Sequence, residues 1–138
     1  MTFAILDSGV YIDHWERGLY ATQLQQVTHA CVVRQSAVVL SELRRGARTQ
    51  AARRLVESLH RLAPEIWEPS PSDWWAAGDL IRTIGDAQGW ETSKRREFQN
   101  DALIALTARR HGARVVTTNG ADFKMLARAV KVDVVVLG

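Results

Sequence analysis

Asp7, Glu42, Asp101 and Asp122 are the side chains whose types and placement could do chemistry together in this 138-residue sequence. Carboxylates gathered at one place repel one another strongly unless they are protonated or neutralised by a cation. Oxygen ligands without a cysteine or a clustered histidine select a hard dication, Mg²⁺ or Mn²⁺, rather than zinc. An ion held that way lowers the pKa of a bound water and stabilises charge on phosphate oxygens, which is the chemistry of phosphoryl transfer. Each acid also has an ordinary reading. Asp7 could cap the segment beginning at Ser8, Glu42 and Asp101 could answer helix dipoles, and Asp122 could be the third residue of a helix capped by Asn119. The joint pattern favours a site over four separate caps.

The elements that must position these acids follow from apolar spacing. Phe3 to Leu6 is a short buried strand that Asp7 ends, with Ser8-Gly9 as a turn. Ala37 to Leu40 reads as the next strand, with Ser41 capping a helix that begins at Glu42. Helical spacing of Ala102, Leu103, Ala105 and Leu106 predicts a helix over about 96–111, so that Asp101 lies near its start. Gly112 stops that helix in the left-handed region, and a strand at 114–117 precedes a helix at 120–129 opened by Asn119. Asp7, Glu42 and Asp122 thus each follow a strand. In a parallel sheet those ends share one edge, where ligands bind.

The remaining segments fit the same alternation. Helices are predicted over 19–30 and 49–62, the second with Ala52, Leu55, Val56 and Leu59 on one face and Pro64 as its stop. Glu65 to Glu68 is a short strand candidate. Ser70-Pro71-Ser72-Asp73 opens a helix to about Ala87 that carries Trp74, Ala77, Leu80, Ile81 and Ile84 on its apolar side. A loop at 89–94 and a last strand at 132–137, with Asp133 an oddity in it, complete the chain. The expectation is an α/β fold: one domain over 1–138, with a central mostly parallel sheet flanked by helices.

Eighteen Lys plus Arg against 15 Asp plus Glu give a net charge of +3, and only Lys94, Lys124 and Lys131 are lysines. The arginine bias suits phosphate contacts, although arginine-rich surfaces are common on other proteins. Cys31 is alone, which excludes a disulfide framework and fits a reducing cytoplasm. Without a signal-peptide pattern or an apolar run of membrane-spanning length, the expectation is a soluble cytoplasmic protein with no membrane contact. Trp74 and Trp75 are adjacent, so only one can face the core and the other is surface or interface, with core or dimer packing favoured over base stacking. The four histidines lack ligand spacing and suit surface or helix-end positions.

Four segments carry a resemblance. Leu6-Asp7-Ser8, Leu40-Ser41-Glu42-Leu43, Asn100-Asp101-Ala102-Leu103-Ile104-Ala105 and Val116-Thr117-Thr118-Asn119-Gly120-Ala121-Asp122-Phe123 resemble, in order and register, the motifs of PIN-domain ribonucleases of the VapC toxin type. The resemblance implies a PIN-like nuclease domain and a Mg²⁺- or Mn²⁺-dependent endoribonuclease that leaves 5′-phosphate and 3′-hydroxyl ends. It carries over Asp7, Glu42 and Asp101 as metal-binding carboxylates and Asp122 as the fourth acid. Ser8 becomes a partner of the first carboxylate or of a metal-bound water. Asn119 stands where some members carry an acid, which weakens a second ion's site. A small cognate antitoxin whose peptide packs over the cleft, and a homodimer through the early helices, are also implied. Lys94, Arg95 and Arg96 are the candidates for gripping RNA phosphates, with a solvated helix start as the alternative. A haloacid-dehalogenase-type phosphatase fits poorly because position 9 is Gly where a second Asp is needed. The competing reading from another class is a PIN-like binding module that holds nucleic acid or protein with little cleavage.

Overall fold

β1 (Phe3–Leu6) runs through the middle of the molecule with Ala4, Ile5 and Leu6 buried, and Asp7 ends it as the N-cap of α1 (Ser8–Arg17). A computed structural model describes all of residues 1–138. The chain continues through α2 (Ala21–Ala30), β2 (Val32–Val33), β3 (Gln35–Ser36), α3 (Ala37–Gly46), α4 (Gln50–Leu62) and β4 (Ile66–Trp67). It ends with α5 (Pro71–Gln88), α6 (Thr92–His111), β5 (Arg114–Thr117), α7 (Gly120–Ala129) and β6 (Asp133–Val136). The main sheet has the order β2-β1-β5-β6, a second two-stranded sheet pairs β3 with β4, and every pairing is parallel. The α/β architecture with a parallel central sheet is therefore as expected, and no helix is long and apolar enough to cross a membrane.

α6 is the central helix. Phe98, Leu103, Ile104 and Leu106 are fully buried, and residues 102–108 are covered on all sides, as expected of a helix packed between α5, α7 and the sheet. Its last turn carries Arg109, Arg110 and His111, and Gly112 adopts φ 65° to end it. α5 begins with a full capping box: Ser70 accepts from the Asp73 backbone N–H at 3.1 Å and Asp73 accepts from the Ser70 N–H at 2.9 Å. Arg110 then donates to buried Asp73 at 3.0 Å, tying the end of α6 to the start of α5.

Three expectations are corrected. Ala37 to Leu40 is not a strand but the first turn of α3, because Ser36 caps a helix there by accepting from Val39 N at 3.3 Å. Its buried residues, Val39, Leu40 and Leu43, have helical spacing, and the strands nearby are two-residue pieces on either side of Arg34. α6 starts at Thr92 rather than near 96, which moves Asp101 from the helix start to its middle. Neither Trp74 nor Trp75 is in the core: they are 51% and 86% exposed, and α5 turns Asp73, Ala77 and Gly85 inward instead. Asp133 is explained by its exposure at the start of the edge strand β6, where a charge discourages further pairing.

Candidate active site

β1 and β5 lie side by side and end together, so residues just past them face the same edge of the sheet. Asp7 sits past β1 and its backbone N–H extends the ladder to Val116 O at 2.8 Å. Its carboxylate is held from both sides. Ser8 N–H donates to Oδ1 and the Thr117 hydroxyl donates to Oδ2, each at 2.9 Å. Thr117 Oγ1 in turn accepts from Asn119 N at 2.9 Å, which shapes the turn into α7. Gly9 belongs to the same close approach, since a Cβ there would meet Thr118 Oγ1 at 2.9 Å.

The other acids come from three helices. Asp122 lies in the first turn of α7 behind the Asn119 cap, whose side chain accepts from Asp122 N at 3.4 Å. The amide Nδ2 of Asn119 donates to Asp122 Oδ2 at 3.1 Å and reaches Asp101 Oδ2 at 3.4 Å, so it lies between two carboxylates. Glu42 projects from the middle of α3 and accepts from Asn100 Nδ2 at 3.3 Å, while its Oε1 is buried without a partner. The ordinary cap roles of Asp7 and Asp122 are real, and they coexist with the clustering.

The electrostatics reflect that clustering. Burial pushes the Asp101 carboxyl up to about 8, and the negative charges of Asp7, Asp122 and Glu42 add to it, with Lys94 pulling the other way. Burial also raises Asp7, against the hydrogen bonds from Thr117 and Ser8. Glu42 is raised by burial and then by the Asp7 charge, with Asn100, Arg45 and Ser8 opposing. Asp101 responds to the other three acids together, so all four share one field.

As the side chains stand, no three of the His, Cys, Asp and Glu groups are close enough to grip one metal ion. The chemistry of the donor set nevertheless fits a hard dication: it is oxygen-only, carries surplus negative charge, and leaves one buried carboxylate oxygen unsatisfied. Mutual repulsion spaces such carboxylates, and a cation is what they would close upon.

The predicted basic triplet divides. Lys94 Nζ donates to Asp122 Oδ2 at 2.8 Å, and Arg95 pairs with Asp86 at 3.0 Å and with Trp90 O at 3.0 Å; only Arg96 is exposed. Sequence reasoning did not give Thr117 and Asn100 a part in the site. A hydroxyl at the last position of β5 was the available signal for Thr117, and its adjacency to Asp101 for Asn100. A groove of about 750 Å³ between α3 and α4 is lined by Leu40, Arg44, Val56 and His60 among others and contains none of the four acids.

A PIN domain family model matches residues 4–129. No curated protein sequence matches the chain. Among solved structures it is similar to VapBC2 from Rickettsia felis bound to a DNA fragment from its promoter, at 22% identity over 99% of this chain and 100% of that one, TM-score 0.69. VapBC-1 from nontypeable Haemophilus influenzae aligns at 19% identity over 98% of both chains with TM-score 0.72. FitAcB from Neisseria gonorrhoeae aligns at 22% over 95% of both with TM-score 0.64.

Proposed function

This chain belongs to the PIN domain family, and from that premise we propose that it is a Mg²⁺- or Mn²⁺-dependent endoribonuclease, the toxin of a toxin–antitoxin pair. The observation that carries the reading is the gathering of Asp7, Glu42, Asp101 and Asp122 at one edge of the sheet, where burial first and then the charges of the other three acids push the Asp101 carboxyl up to about 8. Asp7, Glu42 and Asp101 would hold the ion, with Asp122 as the fourth acid. A bound Mg²⁺ or Mn²⁺ supplies charge neutralisation and an activated water for in-line attack on a phosphodiester.

The chain's own residues do the positioning. Ser8 N–H and the Thr117 hydroxyl fix the Asp7 carboxylate, Asn100 orients Glu42, and Asn119 lies between Asp101 and Asp122. Exposed Arg96, with Arg44, Arg45 and Arg48 beyond Glu42, supplies positive charge for the RNA backbone. The similar structures include VapBC proteins, a family of toxin–antitoxin systems, which supports a small antitoxin as partner. A homodimer through α1 and α2 belongs to the same reading; Ile12 on α1 and Leu19 in the turn between the two helices are exposed.

Total RNA incubated with Mg²⁺ or Mn²⁺ against EDTA, with the new 5′ ends mapped, tests the proposal. Cleavage should vanish with EDTA and in folded Asp7→Asn and Asp101→Asn variants; cleavage that survives both substitutions overturns the roles. The spacing of the acids favours one other reading, a PIN-like module that binds nucleic acid or protein without cutting. Under that reading RNA is retained intact whatever the metal.

A further inference from the structure

Lys94 lies on α6 two helical turns before Asp101, on the same face of the helix. Its ammonium donates to Asp122 Oδ2 at 2.8 Å, and the Asn119 amide donates to the same oxygen at 3.1 Å. The ammonium also stands 5.1 Å from the centre of the Trp90 ring. Trp90 is braced edge-on against fully buried Phe98 at 4.8 Å. A lysine engaged by a carboxylate and an aromatic face is not a free arm for gripping phosphate. The site is lopsided as a result. Glu42 Oε1 is buried with no partner on one side, while the Asp122 oxygen facing Lys94 has two donors on the other.

We propose that the Lys94 ammonium is a built-in cation that takes the place beside Asp122 which a second divalent ion would need. The chain then holds a single divalent ion, on the side of Asp7, Glu42 and Asp101. This inference rests on the metal-binding reading above and specifies its stoichiometry. Lys94 acts through Asp122 and is a positioning residue. A dication approaching Asp122 meets a like charge, and at Oδ2 it must displace two hydrogen-bond donors. Asn119 contributes the second of these donors and, being neutral, adds no charge to attract the ion.

The test is a Mn²⁺ titration of the full chain, followed through the electron paramagnetic resonance signal of free Mn²⁺. It is run on the wild type, Lys94→Met and Lys94→Arg, with circular dichroism and melting curves to establish folding; Lys94→Gln replaces the Met variant if that one does not fold. The wild type should bind one ion. Lys94→Met should gain a second, bound at least about tenfold tighter than any second ion in the wild type. Lys94→Arg, which keeps the charge, should return to one. Two tight ions in the wild type, or only one in the folded neutral variant, overturns the assignment of Lys94 and leaves the metal reading standing. A wild type that binds no Mn²⁺ overturns the metal reading and this inference with it.

Discussion

Replacing Asp101 by Asn should stabilise the metal-free protein, although it removes a group central to the proposed chemistry. The Asp101 carboxyl is pushed from its ordinary 3.8 to about 8, first by burial and then by Asp7, Asp122 and Glu42. Its folded-state pKa is raised above the unfolded one, so the folded chain binds the proton more tightly. Neither state is ionised below the ordinary value, and the group then costs nothing. As pH rises towards 8 the unfolded state loses its proton first and gains, and above about 8 the cost is constant. The full displacement bounds that cost at about 6 kcal/mol, and relaxation of the partly solvated carboxyl should leave about 2–3 kcal/mol. Asn keeps the shape and the contact with Asn119 but carries no charge. Urea denaturation of both proteins from pH 4 to pH 9 in EDTA should show no difference at the acid end, a gap that widens with pH, and a plateau near pH 8. In melting temperature the plateau corresponds to roughly 8–12 °C. Excess Mg²⁺ should narrow the gap by stabilising the wild type through binding. A gap independent of pH, or an Asn variant less stable at pH 8, would refute the claim that like charges converge on Asp101.

Other outcomes follow from the same geometry. Asp73→Ala removes half of the α5 capping box and leaves Arg110 without its partner, and should cost about 2 kcal/mol in urea denaturation. Burial alone would raise the Asp73 carboxyl, yet the Ser70 N–H and Arg110 hold it below its ordinary value. Its contribution should therefore be present above pH 3.8 and disappear as the pH falls through its lowered pKa. Phe98→Ala, at a fully buried position under Trp90, should cost about 3–5 kcal/mol by the same measurement. Thr117→Val removes the hydroxyl that holds Asp7 and that accepts from Asn119 N, and should lower cleavage in a variant shown by circular dichroism to be folded; unchanged cleavage would show that these hydrogen bonds have no part in positioning. RNA binding measured by filter retention should weaken steeply from low to physiological salt, and a flat response would rule out a grip dominated by phosphates.

The parts of the site that could be read from the sequence are those fixed by local grammar. Leu6-Asp7, Asn119 with Asp122 three residues on, and Ser70 to Asp73 are strand ends and caps, and all three occur where the residue types indicate. Glu42 and Asp101 each lie within a helix rather than near its first residue, so strand-end and helix-start reasoning does not account for their positions. Ala37-Val38-Val39-Leu40 is an apolar run that serves strand or helix equally, and only the Ser36 cap and the packing of Leu43 decide it. β4 (Ile66–Trp67) falls within the strand candidate at 65–68, whereas β2 and β3 are two residues each and owe their existence to neighbouring strands, which no local pattern encodes. Lys94 was legible as a charge and not as a partner of Asp122, because that pairing spans α6, β5 and the turn into α7.

The central claim is that side chains from β1, α3 and α6 share one divalent ion. Anomalous diffraction from a crystal soaked in Mn²⁺ tests it most directly. A single strong peak bounded by the carboxylates of Asp7, Glu42 and Asp101 is the predicted result. A map with no peak there, or with Mn²⁺ only on distant surface acids, would contradict it.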